Sequence, residues 1–397
     1  MTKKLRRDKR LAQDHTIPFH RPCIEASDVE RVVQAIRSLW LTTGPVTREL
    51  EEALARYLGC GHVVAVSSGT AALQLLYRAA GVGPGDEVIV PALTFVATAE
   101  AAVHLGARPV FADVEAESLL MDPATVERAI SSRTKAIVPV HYGGHLCDMA
   151  RLQTIAAGAR AAVIEDAAHA LSARHGRVRP GLGTLGAALS FYATKELALG
   201  EGGAVVTDDE GVATRVRNWS LHGITRASWT RSELGRPPTY DVEEIGYKMN
   251  LPDLVAALGV GQVARLDAMR ARRESLAQRY DQGLRGVPGI HPASVRPGHT
   301  SARHLYVIRV RAAEAGIDRE GLRAALASAG IQTSVHFIPV PEMTAMRRLY
   351  GTRPEECPMA ATAGREVLSL PLYPDLTEDE VDRVILEIRR VVEAHTP

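Results

Sequence analysis

The chain has 397 residues, 46% of them hydrophobic, enough for a large core and too long for one simple layer unit. Its formal net charge is +1, with 47 Lys and Arg against 46 Asp and Glu, so the molecule has no overall field that would draw nucleic acid. The four cysteines, Cys23, Cys60, Cys147 and Cys357, stand far apart without a C-x-x-C pair. That points away from a zinc site or a disulfide framework and toward a reducing, cytoplasmic setting.

The first fifteen residues, MTKKLRRDKRLAQDH, are basic with no apolar stretch behind them, unlike a secretory signal. We read residues 1–16 as a solvated, disordered tail rather than a nucleic-acid arm. No window approaches the ~20 apolar residues of a membrane span. SDVERVVQAIRSLW begins at Ser27 with Glu30 three residues on, which predicts a capping box and an amphipathic helix. TRELEEALARYL (47–58) predicts a second helix. From residue 62 short β-rich runs (HVVAV, EVIVP, PVFADV, AIVPV, AAVIED) alternate with helical segments (GTAALQLLYRAAG, ATAEAAVHLG, PATVERAI, DMARLQTIAAGA). This rhythm predicts an α/β fold with a mostly parallel sheet covered on both faces. AALSFY and GAVVTDD follow without a long helix between them, which predicts an antiparallel part of the sheet. A long helical stretch is expected at about 252–285. HLYVIRV, REGLRAALASAG and IQTSVHFI then read as strand, helix and strand. TEDEVDRVILEIRRVVEAH closes the chain, with Thr377 and Glu380 as a second capping box. The expected domains are a large one over 17–265 and a small C-terminal α+β one over 266–397.

Ligands of an open α/β sheet bind at the carboxyl ends of its strands. Three segments there could carry chemistry. In VSSGTAAL (66–73), Ser68, Gly69 and Thr70 leave a strand and enter a helix, whose N–H groups can hold an anion; a plain capped turn is the ordinary alternative. The G-x-G-x-x-G run GLGTLG (181–186) stands ahead of the strand run AALSFY rather than between a strand and a helix, and no Walker loop is present, which argues against a nicotinamide-dependent oxidoreductase. In VIEDAAHA (163–170), Glu165 and Asp166 end an apolar strand. Such an acid needs a positive partner, and Asp166 could hold a protonated heterocycle nitrogen with His169 close by, or it could cap the next helix. In SFYATK, Ser190 ends a strand and Lys195 follows five residues later; a lysine amine can form a Schiff base, although most lysines are solvated surface groups. An anion cradle, a strand-end Asp and a lysine in one sheet are the parts that pyridoxal phosphate (PLP) needs. Phe95 could lie against the ring face, or simply pack in the core.

The order and spacing of RSLWLTTGP, SSGTAAL, GPGDEVIVPALTFVAT, RTKAIVPVHYGG, VIEDAAHA, SFYATK, GEGGAVVTDD, IGYKMNLPDLVAALG and EVLSLPLYPDLTEDEV resemble the DegT/StrS-type sugar aminotransferases from about Ile17 to Val392. The GYK-type signature is most like the branch that includes UDP-4-amino-4-deoxy-L-arabinose aminotransferase. The resemblance implies an aspartate-aminotransferase-like fold, PLP as cofactor (passing to its amino form, PMP), and amino transfer from an amino acid, usually L-glutamate, to a nucleotide-linked keto-sugar. It further implies Lys195 as the Schiff-base lysine and acid/base, Asp166 as partner of the pyridine nitrogen, and His169 near the ring oxygen. Gly69, Thr70 and Ser190 would contact the phosphate, with Ser68 beside them, and Phe95 would stack on the ring. Lys248 and Asn250 would reach the phosphate of a neighbouring subunit, making a homodimer with shared sites. Trp40, Leu41 and Thr42 would lie beside the substrate, as would His336, for which a satisfied core histidine is the equal alternative. Met249, Pro252, Pro341 and the run ELAL after Lys195 depart from the family's usual residues, which bears on the sugar and its nucleotide rather than on the cofactor chemistry.

A keto-cyclitol is the rival acceptor. A sugar dehydratase of the same family would carry histidine in place of Lys195. A regulatory or binding homologue without turnover would be expected to lose Lys195, Asp166 or Ser190.

Overall fold

The computed structural model describes residues 16–224 and 240–395; the expected basic tail, apart from Thr16, lies outside them. Its main sheet has seven strands in the order β1 (His62–Val66), β8 (Gly203–Thr207), β7 (Gly186–Ser190), β5 (Ala162–Asp166), β4 (Thr134–Ile137), β2 (Glu87–Pro91) and β3 (Arg108–Ala112). The ladders β3–β2–β4–β5–β7 are all parallel, and β8 runs antiparallel to both β7 and β1. The expected antiparallel element is thus β8, which follows β7 without an intervening helix.

The two-residue period of a strand sends alternate side chains to opposite faces. Val64, Val66, Val88 and Val90 pack with the helices Gly69–Ala79, Ala97–His104 and Glu210–Ser220 on one face. Val63, Ala65, Leu189 and Val206 pack on the other with the helices Pro45–Leu58 and Asp253–Val263. Strands buried on both faces need apolar residues at nearly every position, which is why these runs do not alternate with polar residues.

A three-stranded antiparallel sheet follows, ordered β12 (Val367–Leu370), β11 (Tyr306–Val310), β9 (Ile290–Pro292). It shares a core with helices Leu266–Gly283, Arg319–Ser328 and Glu378–His395. A two-stranded ribbon, β6 (Arg174–His175) with β10 (His299–Thr300), joins the two parts.

Three expectations are corrected. The first helix begins at Ala26, one residue before the expected capping Ser, and its N-cap is Glu25, whose N–H donates to Asp28 at 2.8 Å. Asp28 is buried against the Arg265 guanidinium (2.6 Å), and that contact fixes the cap in place of Ser27 and Glu30. The stretch 252–285 is two helices, Asp253–Val263 and Leu266–Gly283, separated at residues 264–265. IQTSVHFI is not a strand: it meets β12 in one bridge, Ser334 with Ser369, and then leaves the ladder as His336 and Phe337 turn to a cavity. β12 takes its place beside β11. The closing capping box is as expected, with the Thr377 N–H donating to Glu380 (2.8 Å) and the Glu380 N–H to Thr377 Oγ1 (3.1 Å).

Candidate active site

At the carboxyl ends of β1, β5 and β7 lies a cavity of about 390 Å³. Ser68 ends the turn after β1, and its Oγ accepts the Ala71 N–H at 3.0 Å as N-cap of Gly69–Ala79. The Ala72 N–H goes to the Ser68 carbonyl. Among the described residues, that leaves the N–H groups of Gly69 and Thr70 for an anion at the positive end of the helix. Two glycines make this cradle. A Cβ on Gly69 would meet Ser190 Cβ at 3.0 Å. One on Gly203 would collide with the Ser68 carbonyl carbon and lie 2.6 Å from the Gly69 nitrogen. Ser190 faces the same space, its Oγ accepting the Tyr192 N–H at 3.4 Å.

On β5 the strand alternation separates the two carboxylates. Glu165 points away from the cavity, where it takes the His141 imidazole (2.8 Å), the Gly181 N–H (2.8 Å) and the Thr184 hydroxyl (2.8 Å). Asp166 lines the cavity and accepts the Thr98 hydroxyl (2.7 Å) and the Ala168 N–H (3.1 Å). The latter is a local turn and no helix follows. Burial still pushes the Asp166 carboxyl upward against the pull of those bonds and of Lys195 and His141. Such an acid is stabilised as a carboxylate by a protonated ring nitrogen.

Lys195 sits in the turn after β7, its N–H bonded to the Tyr192 carbonyl at 2.8 Å. The turn is clamped on both sides. The Glu196 carboxylate takes the Ser172 hydroxyl and N–H. The buried Gln262 amide bonds the Ala198 N–H (3.0 Å) and carbonyl (3.0 Å). Burial brings the lysine down to about 8, opposed by Asp166 and Glu196, so a free amine is within reach near neutral pH.

The cavity also brings together Phe95, His169 and His336. Phe95 is 58% exposed, which excludes core packing, and its ring is 6.0 Å from Phe337. Burial and then Lys195 and His336 hold His169 well below the usual imidazole range. His336 is brought down to about 4 by burial and Lys195; its Nδ1 pairs with Ser369 Oγ at 2.8 Å, so it is satisfied and still lines the cavity. Trp40, Leu41, Thr42, Lys248 and Asn250 do not line this cavity in the single chain. Lys248 bonds Asn250 (2.6 Å), Asn250 bonds Thr43 (2.7 Å), and the Trp40 indole bonds the Thr43 carbonyl (3.3 Å). Asp253 ties this loop down by accepting the N–H groups of Gly44 (2.8 Å), Val46 (3.0 Å) and Thr47 (2.8 Å).

Sequence reasoning missed Phe19, His20, Tyr192, His304 and Phe337 in the wall, Thr98 on Asp166, and Gly203 behind the cradle. Thr98, Tyr192 and Gly203 stand inside motifs that could have flagged them, FVAT, SFYATK and GEGG. An anion cradle, a buried acid and an amine around one cavity fit PLP: Gly69 and Thr70 could hold a phosphate, Asp166 a protonated ring nitrogen, and Lys195 could condense with an aldehyde.

A chain with this sheet, this cavity and a lysine in its wall has the architecture of a PLP-dependent transferase. Residues 22–389 match the DegT/DnrJ/EryC1/StrS aminotransferase family, and the chain belongs to it. It is 43% identical over 383 residues to the spore coat polysaccharide biosynthesis protein SpsC of Bacillus subtilis (strain 168), covering 96% of this chain and 98% of that protein. The PLP form of the sugar aminotransferase Spr1654 from Streptococcus pneumoniae superposes with a TM-score of 0.89 at 34% identity, covering 96% of this chain and 100% of that one. DesI, solved in the presence of its TDP-sugar product, gives a TM-score of 0.84 at 30% identity, covering 95% of this chain and 93% of that one. Among the described residues, no helix is long and apolar enough to cross a membrane.

Proposed function

We propose that this enzyme moves an amino group from L-glutamate to a keto-sugar carried on a nucleotide, in amino-sugar biosynthesis, with PLP as its cofactor. The observation that carries the reading is the Lys195 amine in one cavity with Asp166 and the Gly69–Thr70 cradle. The likeness to Spr1654 in its PLP form supports the cofactor, and that to DesI with its TDP-sugar product supports a nucleotide-linked acceptor.

When bound, PLP supplies a carbonyl that condenses with amines and a protonated ring that draws off electrons. The chain's residues do the rest. Gly69 and Thr70 anchor the phosphate through their N–H groups, with Ser190 beside them. Asp166 keeps the ring nitrogen charged. Lys195 Nζ is the amine that would hold the cofactor's carbonyl carbon; freed by the donor's amine, it would take the proton from the donor's α-carbon and return one on the other side of the transfer. The donor would leave as its 2-oxo acid, with that oxygen from water, and the same proton movements in reverse on the keto-sugar would leave the amine on the sugar and release its keto oxygen as water. Phe95 covers one ring face.

The same reading takes the chain as a cytoplasmic homodimer. Lys248 and Asn250 of one copy reach the phosphate of the other, and Trp40, Leu41 and Thr42 lie beside the acceptor together with His336. Residue 265 divides the large unit from the small one. The GYK signature is our reason for placing the chain nearest the UDP-4-amino-4-deoxy-L-arabinose branch. An absorbance spectrum tests the core of the proposal. The purified protein with PLP should show a band at ~410–430 nm that moves to ~330 nm on adding L-glutamate, and a nucleotide keto-sugar should restore the first band. Absence of the band sinks the aminotransferase reading; restoration by a keto-inositol alone replaces the sugar with a cyclitol.

A further inference from the structure

Three neighbours hold the His169 ring. The Gly143 N–H donates to its Nδ1 at 3.3 Å. Phe337 stacks on it with centroids 5.9 Å apart, and the His304 ring lies 4.5 Å away. Gly143 also anchors the segment that bears the second ring, because its carbonyl accepts the His304 main-chain N–H at 3.1 Å. It does so at φ 63°, where a Cβ would sit 3.2 Å from the His145 ring, so glycine is needed there. With Nδ1 occupied as an acceptor, a neutral His169 carries its proton on Nε2, and Nε2–H is the polar group left to face the cavity.

We propose that His304 is a positioning residue: its ring, 4.5 Å away, holds the His169 imidazole against the Gly143 N–H, which fixes the Nε2–H tautomer and turns that donor to the ring oxygen the cofactor would present. The identity of that oxygen rests on the PLP reading; the tautomer does not. His169 and His304 are each 6% exposed, and two imidazoles so close in a dry site do not both carry charge. Lys195 and His336 add to the repulsion of a second proton on His169. Asp166 stands in the same wall, and Tyr142, 6.5 Å from the His169 ring, is held protonated by burial. His169 is therefore a donor across the physiological range rather than a base, and the proton chemistry is left to Lys195.

Nitrogen NMR of the full chain with isotope-labelled histidine, with and without PLP, tests this. In the wild type we expect His169 protonated at Nε2 and bare at Nδ1 from about pH 6 to 8. His304→Phe keeps the ring contact and removes the like-charge neighbour, so the tautomer should persist while the titration moves up. In His304→Ala both should loosen, with PLP affinity falling about tenfold and the pH midpoint of the bound chromophore shifting. A wild-type His169 with its proton on Nδ1 overturns the proposal, as does an unchanged His169 spectrum in both variants. Looser His169 with undiminished PLP affinity overturns the contact to the cofactor. If the wild type binds no PLP at all, the cofactor reading fails while the histidine spectra still decide the role of His304.

Discussion

Lys195 is the residue whose environment says most. A buried ammonium costs free energy, and folding relieves part of that by releasing the proton. The folded value, about 8, lies below the ordinary 10.5, so between these two values the unfolded chain binds the extra proton and stability rises with pH. Below about 8 the penalty is fully present. Lys195→Met should therefore raise the melting temperature of the cofactor-free protein at pH 7, and the advantage should shrink as pH rises toward 10; thermal scans across that range check it. The same variant should show no glutamate-driven spectral change. Asp166→Asn tests the opposite end of the ring. It removes a carboxyl that burial disfavours, so the cofactor-free protein should lose no stability, while amino transfer from glutamate should slow at least ~100-fold, about 2.7 kcal/mol in the barrier. Stopped-flow absorbance separates the two effects.

Two elements are tuned for the site at close range. β8 can pass behind the anion cradle because Gly203 has no side chain. Gly203→Ala should push back the start of helix Gly69–Ala79, weaken PLP binding at least tenfold and cost about 1–3 kcal/mol of stability; a fluorescence titration with PLP measures the first. The turn holding Lys195 depends on the Gln262 amide. Gln262→Leu strands the Ala198 N–H and carbonyl in the core, at about 1–3 kcal/mol each, and chemical denaturation should show the loss. The strands themselves were legible in the sequence, because two-sided burial demands continuous apolar runs such as HVVAV and EVIVP. So were the segments of the cradle, the acid and the lysine, each at the end of such a run. The start of the first helix was not, since the deciding contact reaches Asp28 from Arg265, far along the chain. Nor was the fate of IQTSVHFI, whose β-branched pattern fits a strand while its partner edge is taken by β12. His304 and Phe337 enter the wall through tertiary packing that no local period announces.

At the scale of the whole molecule, the residues around Trp40 and Lys248 are organised among themselves and away from their own chain's cavity, which suits service to a second copy. Mixing Lys195→Ala with Lys248→Ala tests sharing of sites. Each variant alone should be inactive or nearly so. After exchange of subunits, half of the dimers carry one site with both lysines, and about a quarter of wild-type activity should return. No recovery after proven exchange would mean that each chain builds its own site.

Helix Asp253–Val263 has a hold at each end. Asp253 grips the backbone of residues 44–47, and Gln262 grips the turn that bears Lys195. A rigid rod fastened to both carries news between them. Covalent occupation of Lys195 should steady the far loop without touching it, and deuterium uptake at the amides of Gly44 and Thr47 should slow when the cofactor is attached. With Gln262→Leu that distant response should vanish, even if the cofactor still binds.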